Sequence, residues 1–283
     1  MKSDVIPCRL CAAPAAFKFS RRADDGDEVC CYECNACRSL QTEAPYWLEA
    51  EYAASAADGC LNLDTYAAAR SARSRTSVYF LWRLAGFGSP HDKLLDWGGG
   101  VGLMVRLLRD IGIDAYLYDK YATNHFASGF VKSDLHTYRV VTAFEVFEHF
   151  ANPTIDLEAV FALAPSLLVI STGIYQKQDA GWPYLGPPKS EHVFFYSAQA
   201  LDLIGARHGY LVMRLRHDVT LFVKGGDLAK RLRWARVLLS FNYVADLAFA
   251  LIRKRSHCAS DNQLIRAMRQ AQRSETPSPT RHR

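Results

Sequence analysis

Leu94-Leu95-Asp96-Trp97-Gly98-Gly99-Gly100-Val101-Gly102-Leu103-Met104 constrains the fold of this chain more than any other stretch: an apolar strand runs into a glycine turn that opens a helix. Gly98, Gly100 and Gly102 allow a turn that a Cβ would obstruct and let a ligand approach the backbone, while the helix offers its N-terminal amides. The pattern predicts a nucleotide-type site at the strand end. The dinucleotide fingerprint GxGxxG, started at Gly98, puts its third glycine on Leu103, so that frame fits poorly.

Read instead as Asp-x-Gly-x-Gly-x-Gly over Asp96, Gly98, Gly100 and Gly102, the stretch resembles the first motif of the class I S-adenosylmethionine-dependent methyltransferases. That resemblance implies that Asp96 and the three glycines hold the methionine end of the cofactor. A strand expected over residues 113–119 ends on Asp119, 23 residues after Asp96, placed to take both ribose hydroxyls as the acid of nucleotide-binding βαβ units does. Asp134, in a short third strand expected over 129–135, matches the place where the family contacts the adenine amino group. Glu145-Val146-Phe147-Glu148-His149, followed by Asn152-Pro153, resembles the family's fourth-strand motif. It implies that Glu145 faces cofactor or substrate and that His149 orients neighbouring backbone or, paired with an acid, moves protons.

Helix-period apolar residues over 103–110 and a helix near 155–164 alternate with strands at 93–96, 113–119, 139–144 and 167–172, and a hairpin over 209–216 and 219–224 closes the series. Strand–helix–strand repetition predicts an α/β fold: a doubly wound, Rossmann-like, mostly parallel sheet with ligands at the strand carboxyl ends. Three parts are expected: a cysteine module and linker over 1–60, the cofactor domain over 61–224, and a basic helical tail over 225–283. A helix capped by Asp64 and running to Leu84 precedes the first core strand, and Ala53 to Gly59 reads as linker.

Seven of the eight cysteines fall before residue 61. Cys8-Arg-Leu-Cys11 and Cys34-Asn-Ala-Cys37 lie 22 residues apart with short strands between them, an arrangement suited to a structural zinc held by four thiolates. Spacing alone also allows Cys31 and Cys34 as the second pair. The two knuckles, Leu40-Gln41 and the aromatic-acidic segment ending at Tyr52 resemble the entry to a subfamily of zinc-knuckle methyltransferases that includes sugar-modifying members. The distance to Leu40-Gln41 in that subfamily favours Cys8, Cys11, Cys34 and Cys37 as the metal ligands, with Cys30 and Cys31 as packing residues.

Between Gly173 and Ser190 lies a loop carrying Trp182, Pro183, Tyr184, Pro187 and Pro188; long aromatic loops in compact domains are lids or binding loops. Ser190-Glu191-His192-Val193-Phe194-Phe195-Tyr196-Ser197 follows, with Ser197 as the expected N-cap of a helix. This run is similar to the substrate loop of the zinc-knuckle methyltransferases, which implies that His192 is a base, beside Glu145, and that the acceptor is a small molecule, a sugar or nucleotide-sugar. The resemblance covers residues 8 to about 224.

The net charge of +5 is unevenly placed: residues 226–283 carry 12 Lys/Arg against 4 Asp/Glu, leaving 22 against 25 in the rest. A mildly acidic body argues against a phosphate footprint and hence against a nucleic-acid substrate. An RNA methyltransferase and a non-catalytic cofactor-binding scaffold at a membrane surface are the competing readings. Residues 229–255 are expected to form one helix with an apolar centre flanked by cations, able to lie in an anionic membrane interface, and residues from Ser274 onward to be disordered. The start has no apolar leader and no run of 18 apolar residues occurs, so the expectation is a cytoplasmic chain.

Overall fold

The computed structural model describes residues 3–57, 65–215, 218–240 and 242–275. The chain opens with β1 (Val5–Pro7), β2 (Pro14–Arg22), β3 (Glu28–Cys34) and β4 (Leu40–Thr42), an antiparallel meander, followed by α1 (Leu48–Ala57) and α2 (Thr65–Leu84). The segment from Ala53 to Ala57, expected as linker, completes α1 instead, because Tyr52 anchors that helix in the core. Residues 58–64, with the expected cap Asp64, lie outside the described residues.

The cofactor half then runs β5 (Leu94–Trp97), α3 (Leu103–Arg109), β6 (Ala115–Tyr118), β7 (Val140–Phe144), α4 (Pro153–Phe161) and β8 (Leu167–Ser171). It continues with β9 (Phe194–Phe195), α5 (Ala198–His208) and the hairpin of β10 (Leu211–Arg214) and β11 (Val219–Val223). Six of these strands form a mixed sheet in the order β10-β11-β8-β7-β5-β6. Pairings β6–β5, β5–β7 and β7–β8 are parallel, whereas β11 lies antiparallel to β8 and β10. The strands are apolar on both faces because both are covered. Leu94, Val140, Leu167 and Val169 point to a core built with α2, α3 and the C-terminal helices. Their neighbours Leu95, Val141, Leu168 and Ile170 point to the core shared with α4, α5 and the cysteine module. That alternation is the period-two signature of a strand.

Three expectations are corrected. Residues 129–135 form no strand: a single parallel bridge, Leu117 to Val131, is made, and the chain turns away over exposed Asp134 and Leu135. The meander is not a separate module, because β9 from the acceptor loop pairs with β4 and completes a five-stranded sheet in the order β1-β2-β3-β4-β9. The helix expected over 229–255 is two helices, α6 (Gly226–Ser240) and α7 (Asn242–Leu251), bent by 106° so that both lay apolar faces on the domain. A further helix, α8 (Cys258–Glu275), includes Ser274 and is fixed by Asp261, which pairs with buried Arg109 of α3 at 2.8 Å. Residues 276–283 lie outside the described residues.

Candidate active site

The glycine turn stands at the carboxyl ends of β5 and β6. The Gly98 amide donates to the Tyr118 carbonyl at 2.7 Å, tying the turn to the second strand. Gly98, Gly100 and Gly102 adopt φ of +69°, +58° and +85°, a region that side chains with a Cβ rarely enter. Gly99, which sequence reasoning left out, has no such dihedral; a Cβ there would run into the Asp96 carboxylate. Gly98 and Gly99 line a cavity of about 940 Å³, whereas Gly100 and Gly102 shape the turn behind it. That volume is at the upper end for small-molecule sites.

Asp96 is buried at the cavity floor, where its carboxylate accepts the Thr142 hydroxyl at 2.6 Å. Burial pushes its pKa up to about 7, with the Thr142 bond opposing the rise and the charge of Asp119 adding to it. Such a site suits a cationic ligand, which would supply the missing counter-charge. Asp119 also lines the cavity. Its carboxylate accepts the amides of Gly100 at 2.8 Å, Tyr121 at 2.9 Å and Ala122 at 2.7 Å, leaving about one of four lone-pair sites for a ligand. Trp97 and Tyr118, with ring centroids 4.2 Å apart, add aromatic wall, and Tyr52 of α1 stacks on Tyr121 at 4.1 Å across the cavity's rim. The residues present therefore fit a sulfonium nucleoside: a pocket of sufficient size, glycines where side chains would intrude, and a buried acid without a cation. Asp134 is not brought to this site; its side chain is 95% exposed and pairs with Lys132 at 2.8 Å.

Beside the glycine turn, the cavity is also lined by Phe144 of β7, Glu145 and Val146 after it, Val169 and Ser171 of β8, and Glu191. Glu145, at the end of β7, has φ of +55°, a strained conformation costing about 1–3 kcal/mol in a non-glycine residue. It is held by Ser171, whose backbone carbonyl accepts the Glu145 amide at 3.0 Å and whose hydroxyl donates to Oε1 at 2.6 Å. The Tyr184 hydroxyl reaches Glu145 Oε2 at 3.1 Å and Glu148 Oε1 at 2.6 Å. Sequence reasoning missed both Tyr184 as a linker and Glu148 as a site residue, although the spacing of Glu145, Glu148 and His149 was visible. Glu148 is fully buried, and burial together with neighbouring Glu145 raises its pKa. His149 lines the cavity; burial, then the adjacent His192, push its pKa down to about 3, so its ring is neutral. His192 is not among the lining residues. Its Nδ1–H donates to the Tyr184 carbonyl at 2.6 Å, and Nε2 faces Glu148 at 4.0 Å. Arg70 and Arg73 of α2 also line the cavity.

In the meander, the sulfurs of Cys8 and Cys37 are 3.7 Å apart and those of Cys11 and Cys34 3.5 Å, all four within 4.8 Å of one another. Tetrahedral zinc with Zn–S of about 2.3 Å sets sulfurs ~3.8 Å apart, so this donor set fits the ion. Cys31 packs instead with Leu40, Tyr175, Leu185 and Phe195, where burial pushes its thiol up to about 12. Cys30 is buried in the adjacent core.

A family profile described as "Methyltransferase domain" matches residues 67–215. No curated protein matches the chain. Among solved structures, magnesium protoporphyrin IX methyltransferase from Synechocystis PCC 6803 with bound S-adenosylhomocysteine is similar at 15% identity and TM-score 0.39, over 58% of this chain and 89% of that one. Human N-acetylserotonin methyltransferase in complex with S-adenosylmethionine is similar at 12% identity and TM-score 0.38, over 54% and 52%. An O-methyltransferase family protein from Burkholderia thailandensis is similar at 14% identity and TM-score 0.34, over 53% and 57%.

Proposed function

This chain belongs to the methyltransferase-domain family and is an S-adenosylmethionine-dependent methyltransferase, and on that premise we propose that it methylates a small hydroxylated acceptor, a sugar or nucleotide-sugar in polysaccharide or natural-product synthesis. The observation that carries the reading is one cavity lined by two sets of groups: Gly98, Gly99, Asp96 and Asp119 on the cofactor side, and Glu145, His149 and Glu191 at the acceptor end. A volume of about 940 Å³ takes two small molecules side by side rather than a duplex.

S-adenosylmethionine, when bound, supplies a methyl group on an already electrophilic sulfonium carbon. The protein contributes alignment and the exclusion of water. Asp96 complements the cofactor's positive charge, Asp119 accepts from its ribose, and Gly98 and Gly99 leave the backbone accessible. Glu145 takes the proton of the acceptor hydroxyl, held in place by Ser171; proton transfer of this kind contributes roughly 10²–10⁴ in rate. In this reading Glu145 rather than His192 is the base, because Glu145 lines the cavity and His192 does not. Arg70 and Arg73 line the cavity, and in this reading they meet the diphosphate of a nucleotide-sugar.

Cys8, Cys11, Cys34 and Cys37 hold a structural zinc in this reading, since four thiolates leave no open position. Residues 229–255 make peripheral contact with an anionic membrane: Trp234, Leu247 and Leu251 are exposed on α6 and α7, and cations flank them. No single described helix is long and apolar enough to cross a membrane.

The test is transfer of labelled methyl from S-adenosylmethionine to a panel of nucleotide-sugars, with RNA in a parallel arm. Methylation of a nucleotide-sugar, lost at least a hundredfold in Glu145→Gln at unchanged S-adenosylhomocysteine affinity, supports the reading. Transfer to RNA alone overturns it, and tight cofactor binding with no acceptor in any extract points to a scaffold.

A further inference from the structure

Glu148, His149 and His192 each bring one ligand atom within 4.8 Å of the others, at the back of the acceptor end. Proton removal by Glu145 uses none of them. Glu148 Oε2 is fully buried and has no hydrogen-bond partner in the described residues. An unmet buried acceptor is costly, and native proteins rarely keep one without a use.

The surroundings of these three side chains are those of ligands rather than of a core cluster. The Nδ1–H of His192 donates to the Tyr184 carbonyl at 2.6 Å, which leaves the lone pair on Nε2, 4.0 Å from Glu148. His149 Nδ1 stands 3.6 Å from the Glu191 carboxylate. Tyr184 donates to Glu148 Oε1 at 2.6 Å, fixing the carboxylate while Oε2 remains open. A histidine braced by a carbonyl, as His192 is, and a carboxylate braced by a hydroxyl, as Glu148 is, have the outer contacts that orient metal ligands.

We propose that Glu148, His149 and His192 bind a divalent first-row transition ion at the acceptor end of the cavity, separate from the four-cysteine site. Two imidazoles and one carboxylate suit manganese, iron, cobalt or zinc, whereas magnesium and calcium favour all-oxygen sets. His149 lines the cavity, so an ion held by it would lie beside the acceptor. Positive charge there favours a hydroxyl acceptor over an amine, because it stabilises the deprotonated oxygen. Binding of the ion is independent of the methyl-transfer reading; its preference for an oxygen acceptor rests on that reading.

The test is titration of the full-length, zinc-loaded chain with Mn²⁺ followed by electron paramagnetic resonance, and with Co²⁺ followed by absorption, both without S-adenosylmethionine. The expected result is one ion per chain, weakened at least tenfold in Glu148→Gln and in His192→Asn, each variant melting as a single transition. His149→Asn takes the place of either variant that fails to fold. Failure to bind both ions, or variants that bind as the unmodified chain does, overturns the proposal. S-adenosylhomocysteine calorimetry on the same samples separates the two readings. Ion binding without nucleoside binding removes the methyl-transfer reading and leaves this site standing; nucleoside binding without ion binding removes only this site.

Discussion

Leu40 of the cysteine-bearing sheet pairs antiparallel with Phe195, two residues before the Ser197 that caps α5. The acceptor loop is therefore an edge of the cysteine module. The Trp47 indole donates to the Ser190 carbonyl at 3.0 Å, and Arg9 reaches the carbonyls of Thr42 and Val193. With zinc held by the four thiolates, as proposed, the binding energy of the ion would support this sheet and, through these contacts, the loop that carries His192.

Removal of the ion, by chelation or by Cys34→Ser, is accordingly expected to loosen residues 182–196 while leaving the glycine turn in place. Hydrogen exchange should show lost protection over that loop, a lower Tm, and S-adenosylhomocysteine affinity within about threefold. Unchanged loop protection after metal loss would show that the two are uncoupled.

Asp96 predicts a pH dependence of stability. Burial raises its pKa from 3.8 to about 7. Between those values the native state keeps a proton that the unfolded chain has released, so this group's contribution falls as pH rises through the window. Asp96→Asn, neutral and isosteric, should match the unmodified chain near pH 4 and exceed it above pH 7 by up to about 4 kcal/mol, while binding S-adenosylmethionine less tightly. Urea denaturation at several pH values checks this; a difference independent of pH would contradict it.

Arg109 and Asp261 are each 6% exposed and form a two-bond pair joining α3 to α8. Losing one partner of such a pair strands a buried charge and costs about 3–5 kcal/mol. For Asp261→Ala the lower end is expected, because Asp114 still accepts from Arg109 at 2.6 Å. The fall in Tm should appear without loss of cofactor binding, since neither residue lines the cavity. A variant as stable as the unmodified chain would show that the pair contributes nothing.

Much of the cofactor half was legible from residue spacing. The turn after Asp96, the end of β6 at Asp119 and the Ser197 cap, whose hydroxyl accepts the Ala200 amide at 2.9 Å, are local events written in consecutive residues. The cysteine pairs were legible because thiolate spacing is a strong constraint. What was missed depends on long-range contact. Gly99 has an ordinary backbone and matters only through its closeness to the Asp96 side chain. Glu148 becomes a site residue only when Tyr184, 36 residues later, reaches it. The two-residue strand Phe194–Phe195 reads as a buried apolar run until its partner is known. Asp134 stands at the position expected from spacing, but its side chain is exposed and pairs with Lys132.

The central claim is that the cavity between the glycine turn and Asp119 holds S-adenosylmethionine. Isothermal calorimetry of S-adenosylhomocysteine against the full-length chain tests it most directly. The account predicts one site per chain and at least a tenfold loss of affinity in Asp119→Ala. No measurable heat, or an Asp119→Ala variant that binds as tightly as the unmodified chain, would contradict it.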